Sequence, residues 1–106
     1  MKYAVLVGLS FSTPALRDNL DQAIKNRMLG KATWGAVGLG KGLDKEGNPS
    51  HSLEIRFERK ADMDDLFSFI KGRMDALPVL KGVITKHPCD HDGSSKGCVI
   101  AEEYIK

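Results

Sequence analysis

The stretch SLEIRFERKADMDDLFSFIKGRMDALP, residues 52–78, contains two different hydrophobic periodicities in succession. Over residues 52–58 apolar and charged side chains alternate, with Leu53, Ile55 and Phe57 on one face. This period of two predicts a strand with one buried side. Beyond it, apolar residues recur every three or four positions, which predicts an amphipathic helix. The apolar stripe of that helix consists of Met63, Leu66, Phe67, Ile70, Met74 and Leu77.

The two ends of this helix are also marked in the sequence. Asp62 is the expected N-cap, and Asp64 and Asp65 follow in the first turn, where carboxylates interact favourably with the helix dipole. Pro78 stops the helix because it lacks an amide hydrogen and clashes with the preceding turn. We therefore expect a strand that is followed directly by a helix.

The same order of strand and helix precedes this stretch. Residues 2–9 are apolar on both alternating faces, which is typical of a central strand covered on both sides. Thr13 and Pro14 predict a helix start, as N-cap and first helical residue, and Gly30 fits its end. The apolar stripe between them is formed by Leu16, Leu20, Ile24 and Met28.

Three further strands complete the predicted order. Residues 31–39, 79–86 and 98–105 have strand-like compositions, whereas residues 40–50 and 90–97 are rich in glycine and polar side chains and predict loops. Strand-helix-strand-strand-helix-strand is the order of the ferredoxin-like βαββαβ sandwich. We expect a single α+β domain over the whole chain, with one antiparallel sheet, two helices on one face of it, and a C-terminal fifth strand.

Composition and charge limit the classes of protein and partner. The 106 residues are 42% hydrophobic and 28% charged, which is ordinary for a globular domain, and the formal net charge is only +2. So small a charge does not favour a nucleic-acid partner, and the outward Glu54 and Glu58 would repel phosphate. The first apolar run is too short for a signal peptide or a membrane span. We expect a cytoplasmic protein without a membrane partner.

The first strand also predicts self-association. If Val5 and Val7 face the helices, Ala4 and Leu6 lie on the opposite sheet face, which the two helices leave open. A second copy of the chain is the simplest cover for apolar side chains in that position, so we expect a homo-oligomer. The alternative is that Ala4 and Leu6 are tolerated on an exposed sheet.

A candidate metal site lies in the segment that holds both cysteines and two of the three histidines. Alternation over residues 87–91 would direct three side chains to one face of a strand, and a turn would return the fourth towards them. Imidazole and thiolate are ligand types that zinc, nickel and copper prefer. The predicted ligands are His87, Cys89, His91 and Cys98.

Two other interpretations of this segment remain open. In the first, Cys89 and Cys98 form a disulfide or a redox pair that closes the hairpin. In the second, they are free thiols that pack at the base of the hairpin, and both histidines lie in solvent.

A second candidate site is the glycine-rich segment over residues 35–42. Glycines with a lysine are the residue types of a phosphate cradle, so the corresponding ligand would be a nucleotide or another phosphate compound. A cradle also needs a helix N-terminus after the glycines, whereas a loop and a strand are predicted here. The alternative is a twisted strand that runs into a hairpin loop. The candidate residues are Gly38, Gly40, Lys41 and Gly42.

Three segments of the chain, residues 52–55, 60–65 and 80–83, resemble the C-terminal ligand-binding domain of nickel-responsive regulators. This ferredoxin-like domain is similar to the ACT-type regulatory domains, and the resemblance implies an oligomeric sensory fold. The family binds nickel through histidines on its second strand and a cysteine that opens its third. The corresponding positions, residues 31–39 and Ser52, include neither residue type, so those ligands do not carry over. The loop at residues 38–42 is also similar in position to the long loop of PII-type signalling proteins.

The sequence therefore predicts a small oligomeric binding or regulatory module with a transition metal as its leading ligand. One alternative is a PII-like sensor of nucleotides or small molecules, or a small enzyme, with a site between subunits and His51 at its rim. Another is an interaction protein without a small ligand. An enzyme is less favoured than a binding module, because Ser10, Ser12 and Thr13 have no histidine near them in the chain, although His51 could approach them in space. His51, which adjoins the predicted loop, is expected to be exposed.

Overall fold

The structure, a computed structural model, describes residues 3–28, 33–35, 41–76, 79–88 and 100–106. Within these ranges the chain forms two helices and six strands, and neither helix is long and apolar enough to cross a membrane. In chain order the elements are β1 (Tyr3–Phe11), α1 (Pro14–Arg27), β2 (Thr33–Gly35), β3 (Lys41–Leu43), β4 (Pro49–Phe57), α2 (Lys60–Ala76), β5 (Val79–Pro88) and β6 (Glu102–Ile105).

The six strands form one sheet in the order β2-β4-β1-β5-β6, and β3 also pairs with β4. Every pairing among the described residues is antiparallel. The predicted α+β class and antiparallel sheet are therefore confirmed, and β1 is central, as its apolar residues on both faces indicated. Helix α1 connects β1 to β2 across β4, and α2 connects β4 to β5 across β1.

One hydrophobic core lies between the sheet and the helices. Leu20 and Ile24 of α1 belong to the same buried cluster as Phe67 and Ile70 of α2, so both helices cover one face of the sheet. The alternating residues predicted to face inward on β4, Leu53, Ile55 and Phe57, are all buried in this cluster. The opposite face of the sheet, the open face, has no helix over it among the described residues.

Both helices begin close to their predicted positions. Thr13 caps α1, because its Oγ1 accepts a hydrogen bond from the amide of Leu16 at 3.3 Å, and Pro14 is the first helical residue. Helix α2 begins at Lys60, so the prediction that Asp62 is its N-cap is wrong. Asp62 instead lies in the first turn of α2, where its charge still interacts favourably with the helix dipole.

The described part of the predicted loop, residues 41–50, forms a β-hairpin. Its arms are β3 and the start of β4, which the prediction began only at Ser52. Asp44 Oδ1 closes the turn by accepting hydrogen bonds from the amides of Glu46 (2.9 Å) and Asn48 (2.8 Å). Gly47 has a φ of 83°, a left-handed conformation that favours glycine. Composition alone indicated a loop here, because this segment has more of the residue types that favour turns, such as glycine, asparagine and proline, than of those that favour strands.

The last two strands differ from the prediction in their bounds. β5 continues two residues beyond the expected end at Lys86, because Pro88 still faces Tyr3 of β1. The prediction began the last strand at Cys98, whereas β6 begins at Glu102. Residues 98 and 99 lie outside the described ranges. The predicted turn over residues 90–97 also lies outside them.

Candidate functional site

His87 is the predicted metal ligand that the structure describes. It lies near the end of β5, opposite Ala4 of β1, and its side chain is on the open face of the sheet. The residue is nevertheless buried, with 6% of its surface exposed. Its Nε2 atom lies 2.8 Å from the Oγ1 atom of Thr85, two residues earlier on the same face. Its Nδ1 atom is buried and has no hydrogen-bond partner in the described part of the chain.

The chemistry of a buried imidazole favours one tautomer for this ring. If Thr85 donated its hydroxyl proton to Nε2, Nδ1 would carry a buried N–H without an acceptor. Buried donors without partners are rarer in proteins than buried acceptors without partners. We therefore assign the proton to Nε2, which donates it to Thr85 Oγ1 and leaves the lone pair of Nδ1 free. Histidines that bind metals have this arrangement, with one nitrogen held by a hydrogen bond and the other directed at the ion.

The other three predicted ligands, Cys89, His91 and Cys98, lie outside the described residues. The ranges that the structure describes contain no group of three or more His, Cys, Asp or Glu side chains arranged to hold a metal ion. The metal site, the disulfide and the free thiols consequently all stay predictions. The expectation that His87 lies in solvent, which belonged to the free-thiol interpretation, is wrong, because only 6% of its surface is exposed.

A groove of about 400 Å³ crosses the open face next to His87. Its walls are Leu6 of β1 and Val83 of β5, and Gly8, which has no side chain, leaves a gap between them. Thr85 lines this groove and also holds the His87 ring. A second depression of about 340 Å³, which shares Gly8 and Ser52 with the groove, extends towards the β3–β4 hairpin.

The glycine-rich segment is only partly described. Gly38 and Gly40 lie outside the described residues, whereas Lys41 and Gly42 are in β3. The Lys41 ammonium lies 3.1 Å from Asp21 and 3.4 Å from Asp18, so two carboxylates of α1 already neutralise it. The carbonyl of Gly42 accepts a hydrogen bond from Arg17 at 3.1 Å. The phosphate cradle stays a prediction, but these contacts place its lysine in an ion-pair network.

His51 is not an exposed loop residue, so that expectation is wrong. It lies in β4 and is 4% exposed, and its Nε2 donates a 2.7 Å hydrogen bond to Oδ1 of Asp21. The sequence contained a signal for this position. The alternation of Leu53 and Ile55 places His51 on the inward face when it is extended back by one step.

Asp21 is a second buried polar residue that the sequence did not predict. It is 3% exposed, and Lys25 at 2.9 Å and Lys41 at 3.1 Å both contact its Oδ2 atom. Burial raises the pKa of Asp21, but hydrogen bonds from Lys25, Lys41 and His51 outweigh burial and lower the pKa from 3.8 to about 2. The sequence signal for Asp21 is its place beside Leu20, on the apolar side of α1. A carboxylate on that side of a helix can indicate a buried ion pair.

No family model, curated protein or solved structure matches this chain.

Proposed function

We propose that this chain is a ferredoxin-like binding module that holds a transition metal beside the end of β5. The fold assignment is supported by the two helical connections, each of which crosses one intervening strand. β6 then corresponds to the additional C-terminal strand. The metal ligands in this proposal are His87, Cys89, His91 and Cys98.

The observation that carries the proposal is the ring of His87. Thr85 holds Nε2 at 2.8 Å, and the lone pair of the buried Nδ1 has no protein partner among the described residues. Leaving a buried polar atom unpaired costs about 1–3 kcal/mol, and a metal ion would remove that cost. In the sequence, Cys89 comes directly after Pro88, the last residue of β5, and is therefore two positions from His87. Its sulfur is the second ligand in this proposal. Mixed nitrogen and sulfur ligands suit zinc, nickel and copper.

The proposed setting is cytoplasmic and homo-oligomeric. A reducing compartment keeps Cys89 and Cys98 as thiols that can ligate a metal. Self-association is supported by the apolar side chains on the open face, among them Leu6 and Val83, which the helices do not cover.

Metal analysis with thiol counting tests the metal site. We expect the purified protein to bind one equivalent of Zn²⁺, and bound Zn²⁺ to slow the reaction of both thiols with a disulfide reagent. His87→Asn should lower the affinity for Zn²⁺ by about 10-fold or more. Lys86→Gln is the matched control, because it changes the adjacent residue, whose side chain faces the helices and contacts Asp64.

Two results would contradict the proposal. One is a protein that takes up no Zn²⁺, Ni²⁺ or Cu²⁺ and whose two thiols react freely. The other is a His87→Asn variant that is folded by circular dichroism and binds Zn²⁺ as tightly as the Lys86→Gln control.

A further inference from the structure

The open face is hollow in its middle. Every second residue of β1 lies on this face, and near the two ends Ala4 and Ser10 are buried, with 3% and 6% of their surfaces exposed. Leu6 and Gly8 between them are only half-buried. The groove and the second depression are continuous over this middle part, because Gly8 and Ser52 line both of them. Together they form one trough, the β1 trough, whose lining includes Leu6, Gly8, Ser10, Ser50, Ser52 and Val83.

Packing does not require a glycine at position 8, where the two parts of the trough meet. Gly8 pairs in regular register with Ser52 and Val83, and its φ is not positive. A Cβ atom there would come no closer than 3.8 Å to Cγ1 of Val83, which is an ordinary van der Waals distance. A glycine inside a strand commonly marks a bulge, a tight bend, or the close approach of a ligand or another backbone. The regular pairing on both sides of Gly8 leaves the last of these reasons.

The two parts of the trough offer different chemistry to a ligand. The groove has aliphatic walls, Leu6 and Val83, and the described residues that line it include none with a charge. The part beside the β3–β4 hairpin has the hydroxyls of Ser10 and Ser50 close to the shared Ser52. Within the described ranges the hydroxyls of Ser50 and Ser52 have no hydrogen-bond partner, so they are available to a ligand.

The charges beside the hairpin favour a neutral ligand. Among the described residues, the charged side chains that line this part are Asp44 and Lys45, one of each sign. Oδ1 of Asp44 is already used by the turn, where it accepts the amides of Glu46 and Asn48. Hydroxyl groups therefore supply the polar contacts of this part, as the few placed polar groups of a small-molecule site do.

Each part of the trough is large enough for a ring. A cavity of about 150 Å³ in a protein core holds benzene. The groove measures about 400 Å³ and the part beside the hairpin about 340 Å³. Both volumes lie in the range of small-molecule sites, which begins at about 300 Å³.

We propose that the β1 trough binds a neutral molecule of two parts, an apolar ring joined to a hydroxylated ring, as in an aryl glycoside or a nucleoside. The apolar ring lies against the backbone of Gly8, between Leu6 and Val83. The hydroxyl groups of the second ring bond to Ser50 and Ser52. This site depends neither on the proposed metal nor on the proposed self-association, and its test uses no metal.

An NMR titration of the protein with phenyl β-glucoside tests the site directly. We expect the amide signals of Gly8, Ser52 and Val83 to shift, with a Kd of about 1 mM or lower. Phenol and glucose, the two parts taken separately, should each bind about 10-fold more weakly or worse, because each fills only half of the trough. A parallel titration with adenosine distinguishes the two sources of this chemistry, since the tighter ligand identifies the nucleoside or the glycoside class.

Filling the trough at Gly8 separates ligand binding from stability. Gly8→Ala should weaken the binding of phenyl β-glucoside about 10-fold, and Gly8→Val should weaken it further, because the added methyl groups occupy the space of the apolar ring. Gly8→Ala should at the same time raise the melting temperature, because alanine restricts the unfolded chain. A purely structural role of Gly8 would not produce a more stable protein that binds less.

Two matched pairs of variants test the walls of the trough. Val83→Ala should weaken the binding of phenyl β-glucoside about 5-fold, whereas Leu80→Ala, which changes another exposed residue of β5 outside the trough, should not. Ser52→Ala should weaken it about 5-fold, whereas Ser68→Ala, on the exposed side of α2, should not. These pairs decide the site even if Gly8→Val does not fold.

Several results would overturn the proposal. One is the absence of shifts at these amides with about 10 mM phenyl β-glucoside or adenosine. Others are a folded Gly8→Val variant that binds as tightly as wild type, and phenol that binds as tightly as the whole glycoside. A second copy of the chain that fills the trough would shift the same signals with protein concentration alone and exclude phenyl β-glucoside, which also overturns the proposal.

Discussion

Asp21 and His51 form a buried polar contact inside an otherwise apolar core. Asp21 on α1 contacts His51 on β4 and Lys41 on β3, so a single carboxylate connects three elements. A buried carboxylate is tolerated only if its hydrogen-bonding capacity is used, and here both of its oxygen atoms have partners within 3.1 Å. We infer that this contact determines where the β3–β4 hairpin packs against α1.

Replacing Asp21 should destabilise the protein in a pH-dependent way. Because the folded pKa of Asp21, about 2, lies below its ordinary value of 3.8, its ionised form stabilises the fold at pH values above about 4. That contribution is lost as the pH falls from about 4 to 2. We expect Asp21→Asn to lower the free energy of unfolding at pH 7 by about 2 kcal/mol, and the difference from wild type to shrink below pH 4.

Urea unfolding at several pH values measures this difference. Asp18→Asn is the control, because Asp18 also contacts Lys41 but is exposed to solvent, and its replacement should change the stability little. A difference between Asp21→Asn and wild type that stays constant from pH 7 to pH 2 would contradict the assigned pKa.

At the scale of elements, two glycines that look alike in the sequence have opposite roles. Gly82 lies in β5 on the helix face, where a Cβ atom would overlap Leu9 Cδ2 and come within 3.2 Å of Met74 Cε and of the Gly8 carbonyl oxygen. Gly72 lies on the exposed side of α2, where a Cβ atom would have no neighbour within 4 Å. The absence of a side chain at Gly82 thus allows β1, β5 and α2 to approach closely.

Alanine at these two positions should shift stability in opposite directions. We expect Gly82→Ala to lower the melting temperature and the free energy of unfolding, the latter by about 1–3 kcal/mol, because it overpacks the core. Gly72→Ala should raise the free energy of unfolding by about 0.5–1 kcal/mol, because alanine restricts the unfolded chain and favours the helix. Thermal and urea unfolding measure both, and a stabilising Gly82→Ala would contradict the described packing.

The whole molecule is organised around one strand. β1 pairs along its length with β4 on one side and with β5 on the other, and its inward side chains lie in the core. β6 has four residues and, in the described part of the chain, pairs only with β5. Helix α2 holds β6 from the side, since the Tyr104 hydroxyl donates a hydrogen bond to Asp75 and the Lys106 ammonium donates one to the Met74 carbonyl at 2.7 Å.

Native-state hydrogen exchange should reflect this organisation. We expect the amides of β1 to exchange only through global unfolding, and those of β6 to exchange roughly 100-fold faster through local separation from β5. Exchange followed by NMR at pH 7 measures both rates. Equal protection of β6 and β1 would mean that the edge strand unfolds only together with the core.

Much of the fold could be predicted because local rules and burial agree over the long elements. The alternation around Ile55 and the cap formed by Thr13 are both found where the sequence placed them. The β3–β4 hairpin could not be predicted from composition, since its pairing depends on the register of Lys41 opposite His51. At the candidate metal site, the sequence predicted the residue types, but not that Thr85 would hold the His87 ring.

The sequence by itself determined the α+β class, the central position of β1 and the long helices and strands, because periodicity and capping are local properties of the chain. Only the tertiary structure decided which polar side chains are buried and with what partners. Asp21 and His51 are 30 residues apart, and no local pattern specifies their 2.7 Å contact. Likewise, the sequence indicated His87 only as one of four possible metal ligands, directly after the predicted end of its strand at Lys86. Its burial and the orientation of its ring arise from the pairing of β5 with β1, which brings Thr85 and His87 together on the open face.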